Sequence, residues 1–224
     1  MMKYRCSIPN AYTEQEDATQ AAAFQQEILW LRKTDRILTG STKLTVKNYR
    51  SKEKIIAQSN IETEAIQIDF GHVKRISKNY NEFVINVKAT DYHEVCHLLF
   101  TRVDVHDHRF KENKQIVNIL EDSRIECLFI SMYPTAAMYF KHLMLRYLNV
   151  NYDVMLLTWG RRIYLPEKIV KRSVELFAEV YGTEVTQKVQ ALIDKYLFTH
   201  DFESQMQITV ELAKLIGHPI NNDS

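Results

Sequence analysis

Apolar and small residues recur at helical spacing from residue 14 to residue 39, through Ala21, Ala22, Phe24, Ile28, Leu29 and Leu31. The pattern closes at Gly40 behind Lys33 and Arg36, which predicts one long first helix. Residues 41–64 are polar and poorly periodic, and read as a mixed segment of short helix or loop. The period then shortens. Ala65–Phe70 and, after a turn at 78–81, Phe83–Val87 are alternating and rich in β-branched residues, which predicts two strands paired antiparallel. From Asp91 the helical period returns, with helices expected over Tyr92–Arg102, Lys114–Met132, Pro134–Leu148, 167–181, 184–198 and 202–216. Gly182 and Gly217 stand where two of these should stop. This order of elements predicts an α+β class: a single, mostly helical domain over 1–224 with a small sheet ahead of the helical body. Its parts are an N-terminal helical region (1–64), a sheet with the following helices (65–132) and a C-terminal helical region (133–224).

Composition supports the helical reading, because five Gly and four Pro in 224 residues are too few for the turns of an all-β chain. Lys and Arg number 29 against 28 Asp and Glu, so no charge excess proposes nucleic acid as a partner. Cys6, Cys96 and Cys127 form no CxxC pair, which argues against a disulfide framework or a cysteine-rich zinc knuckle. No apolar run follows Lys3 and Arg5, and charges interrupt every window long enough to span a bilayer. A soluble, cytoplasmic protein without a membrane partner is therefore expected. The eight histidines are the part of the composition that invites chemistry.

His93-Glu94-Val95-Cys96-His97 is an HExxH sequence inside a predicted helix. Spacing of i, i+4 sets both imidazoles on one helical face, close enough to share a metal ion, with Glu94 beside them. Zinc on neutral nitrogen ligands lowers the pKa of water to about 7, and an adjacent carboxylate can take the proton as that water attacks a carbonyl. This is the peptide-hydrolysing chemistry of a zincin. Composition alone predicts roughly 0.02 such matches in a chain of this length.

A third ligand is needed. The metzincin pattern is excluded, because its glycine and third histidine would fall at Phe100 and Val103. His106 and His108 lie past the predicted helix end and read as loop residues. The better source is Asn118-Ile119-Leu120-Glu121-Asp122-Ser123-Arg124-Ile125-Glu126, which sets carboxylates into an apolar helix. Such groups must be solvated, ion-paired or bound to metal. Glu121 shares a face with Val117, Ile125 and Leu128, and Asp122 with Asn118, Ile125 and Glu126, so periodicity leaves both open as ligand. Cys96 is expected to face the core. Arg161, Arg162 and Tyr164 could assist an oxyanion, but structural pairing with Glu121, Asp122 or Glu126 is the simpler use.

HEVCHLLFT, NILEDSRIE and TWGRRIYLP (158–166) together resemble the zincin part of the metallopeptidases associated with von Willebrand A domains, the cobaltochelatase subunit T-like group. The resemblance covers roughly residues 65–166. It implies a Zn²⁺ cofactor held by His93, His97 and Glu121, with Glu94 as general base, and a peptide or protein substrate. In zincins generally an extended peptide lies along the strand ahead of the HExxH helix, here Phe83–Val87. About 58 residues follow the third block and contain no DxSxS motif, so a stand-alone core of viral type is expected, with a protein partner in place of the von Willebrand A domain. The two functions implied are a zinc metallopeptidase and, as alternative, an inactive zincin-fold binding or assembly protein with a structural metal.

Overall fold

The computed structural model describes residues 17–50, 56–148 and 154–217. Cys6 and His218 lie outside them. By contact density the chain falls into two compact units that divide between Leu99 and Phe100.

The unit ending at Leu99 opens with helix α1 (Asp17–Thr39) and three short strands, β1 (Thr45–Asn48), β2 (Ala57–Asn60) and β3 (Ala65–Ile68). β3 is central: β1 pairs with it in parallel, Val46 opposite Ile66, and β2 antiparallel, Ser59 opposite Ile66. Val46, Ile66 and Ile68 are fully buried. Residues 44 and 46 turn their carbonyls away from β3, and α1 meets them with arginines: Arg36 Nε donates to Leu44 O at 3.0 Å and Arg32 Nη2 to Val46 O at 3.3 Å. Helices α2 (Phe70–Ile76) and α3 (Tyr80–Phe100) follow. Phe24, Phe70 and Phe83 bring one ring each from α1, α2 and α3 into a cluster, with centroids 5.4–6.3 Å apart.

Two expectations change here. Phe83–Val87 is not a strand; it is the second turn of α3, which begins twelve residues before the predicted Tyr92. Asn79 Oδ1 accepts from the Glu82 amide at 3.0 Å, and the Glu82 carboxylate accepts from the Lys78 amide. The segment read as a hairpin turn is thus a helix cap of the capping-box kind. Burial at Phe83, Asn86, Val87, Thr90, Asp91 and Glu94 steps by three and four residues, the helical period. The edge on which a peptide was expected to lie is therefore absent at these positions. The second change is in 41–64, where β1 and β2 replace the expected helix or loop.

Among its described residues, the unit from Phe100 on has helices as its regular elements: α4 (His108–Glu112), α5 (Lys114–Met132), α6 (Ala136–Tyr147), α7 (Met155–Gly160), α8 (Glu167–Tyr181), α9 (Thr183–Leu197) and α10 (Phe202–Ile216). Its core joins Ile116 and Leu120 of α5 to Met155 and Leu156 of α7, Phe177 of α8, Val189, Ile193 and Tyr196 of α9, and Ile208 and Leu212 of α10. Gly182, at φ +83°, ends α8 and caps α9, a backbone conformation that a side chain would strain. Asp201 caps α10 by accepting from the Ser204 amide at 2.8 Å. The mostly helical α+β class, with a small sheet ahead of the helices, is the one observed. No described helix is long and apolar enough to cross a membrane.

Candidate metal centre

α3 carries the HExxH sequence in its last two turns. His93 and His97 are half-buried, and their Nε2 atoms stand 3.2 Å apart with the rings edge-on at 86°. A tetrahedral zinc ion with bonds of about 2.05 Å holds two nitrogens about 3.3 Å apart. The two histidines thus meet the separation that such an ion requires, which the helical rise alone does not supply; the side chains must also turn toward each other. Glu94 is buried at 7% exposure, and Cys96 is fully buried, as expected for a thiol facing the core.

Two residues before His93 on α3 stands one member of a pair that the sequence did not single out. Asp35 of α1 and Asp91 of α3 are both fully buried, and none of their four oxygens has a hydrogen-bond partner. Burial pushes the Asp35 carboxyl up to about 7, opposed by its neighbour Asp91. Burial likewise drives Asp91 well above the usual carboxylate range, aided by the charges of Asp35 and Glu94. A proton shared between the two would supply the hydrogen bond each otherwise lacks. The signal was present: Asp35 follows Phe24, Ile28 and Leu31 on the apolar stripe of α1, where an acid has no solvent to face.

In the other unit, α5 carries three carboxylates with distinct surroundings. Glu121 is gripped by Arg124, Nε to Oε2 at 2.8 Å and Nη2 to Oε1 at 2.7 Å, both side chains 4% exposed. The Tyr196 hydroxyl approaches Oε2 at 3.4 Å, and Arg124 Nη2 also donates to Phe100 O at 2.8 Å. Burial works against the Arg124 charge, yet Glu121 outweighs it and the guanidinium pKa is raised. Separating such a pair leaves an uncompensated buried charge and costs about 3–5 kcal/mol.

Glu126 Oε2 accepts from Arg161 Nε at 2.8 Å and from the Tyr164 hydroxyl at 2.6 Å. Burial and then the Glu126 charge hold the Tyr164 phenol well above its ordinary pKa. Arg161 is 1% exposed and also donates to Ser123 Oγ at 2.7 Å and to Leu157 O at 3.3 Å. Asp122 lies further out, 15% exposed, with its Oδ2 3.8 Å from Arg161 Nη2. Gly160 lets α7 come this close: a Cβ there would stand 2.7 Å from Ser123 Cβ. Arg162 turns elsewhere, to Asp194 at 2.8 Å, stacked over the Trp159 ring.

The 158–166 block is therefore a buried polar clamp on α5, the structural use expected of Arg161 and Tyr164. His93 and His97 are brought together. Glu121, the ligand implied by resemblance, has both oxygens on Arg124. His106 lies in the loop before α4, and His108 is the exposed first residue of that helix. Comparison of the chain with protein-family models, curated proteins and solved structures returns no match.

Proposed function

We propose that the protein is a zinc-dependent metallopeptidase whose ion is held by His93 and His97. The observation that carries this reading is the 3.2 Å approach of the two Nε2 atoms within an HExxH helix. Neutral imidazoles suit zinc, which prefers nitrogen and oxygen donors in a four-coordinate arrangement with one position open to substrate or water. When bound there, zinc would supply a Lewis acid for a peptide carbonyl and lower the pKa of water.

The remaining work falls to the chain. Glu94 follows His93 directly, and its carboxylate oxygen accepts the proton of the attacking water and returns it to the departing amine. Glu94 is buried, at 7% exposure. The buried pair Asp35 and Asp91 lies beside these residues, Asp91 two positions before His93 on α3.

Purified protein is expected to carry one zinc per chain and to cleave members of a broad peptide library. Glu94→Gln should keep the metal and lower cleavage by about 10²–10⁴-fold, the usual share of a general base. Absence of bound zinc overturns the reading, and undiminished cleavage by Glu94→Gln removes Glu94 as base. Zinc without cleavage of any peptide would favour the binding-protein alternative.

A further inference from the structure

We draw no further inference here: the strongest candidate, the buried carboxyl cluster of Asp35 on α1 and Asp91 on α3, belongs to the site already described, Asp91 standing two residues before His93, and nothing among the described residues shows a ligand that the two acids would hold.

Discussion

Arg161 reaches Glu126 through a 2.8 Å bond from Nε to Oε2, although the arginine is 1% exposed and belongs to the turn after α7. The same carboxylate oxygen accepts from Tyr164, and the other end of the guanidinium meets Ser123. Arg161→Met should leave Glu126 buried without its cation and destabilise the protein by about 3–5 kcal/mol. Combining it with Glu126→Leu should recover much of that loss, since a buried ion pair replaced as a whole by apolar groups is often near neutral. Urea unfolding of the two variants checks both values, and equal losses would contradict the pairwise account.

Gly160 sets the approach of α7 to α5. Gly160→Ala brings a Cβ within 2.7 Å of Ser123 Cβ and 2.8 Å of Ser123 Oγ. Helix propensity alone would favour alanine, but overpacking should win, with a net loss of about 1–3 kcal/mol. A raised urea midpoint in this variant would show that the helices can separate at little cost.

Asp35 predicts an unusual pH dependence. An unfolded aspartate releases its proton near pH 4, whereas the folded group, pushed up by burial, releases it near 7. Between those values the folded state binds more protons, so stability from this group is complete below about pH 4 and is lost as pH rises through 7. In chelator-treated protein the urea midpoint should fall between pH 5 and pH 8. Asp35→Asn should flatten that fall and raise stability at pH 8 by about 1–3 kcal/mol. An equally steep fall in the variant would remove Asp35 as its source.

Zinc should stabilise the wild-type chain against heat, by about 2.7 kcal/mol at a free concentration one hundred times the dissociation constant. His93→Ala and His97→Ala should each abolish the shift while leaving the metal-free melting temperature close to wild type, because both rings are only half-buried. Calorimetry with and without the ion reads the difference.

The long helices were legible in the sequence because their burial follows a clean 3.6-residue period and their ends carry chemical punctuation: Lys114–Met132, Glu167–Tyr181 and Phe202–Ile216 lie where expected. The HExxH spacing likewise announced two convergent imidazoles. The sheet was harder. β1 and β2 bury one residue each, Val46 and Ala57, so no alternation survives in TVKN and AQSN. Phe83–Val87 misled in the opposite direction: a β-branched run on a helix buried around much of its circumference, where tertiary packing overrides propensity. The Asn79 and Glu82 cap was the sequence signal that could have corrected it. The pairing of Glu121 and Glu126 was illegible because it depends on arginines three and 35 residues away turning to particular carboxylates.

The arginines of α1 at the Leu44 and Val46 carbonyls give the small sheet a boundary. A strand edge with open carbonyls is a template for further strands, from the same molecule or another. Here two guanidinium groups occupy the acceptors that an arriving strand would need. The sheet stops at β1 because a helix has taken its hydrogen bonds, so α1 acts as a terminator of sheet growth as well as a packing layer. Loss of Arg32 and Arg36 together would turn a closed edge into an adhesive one.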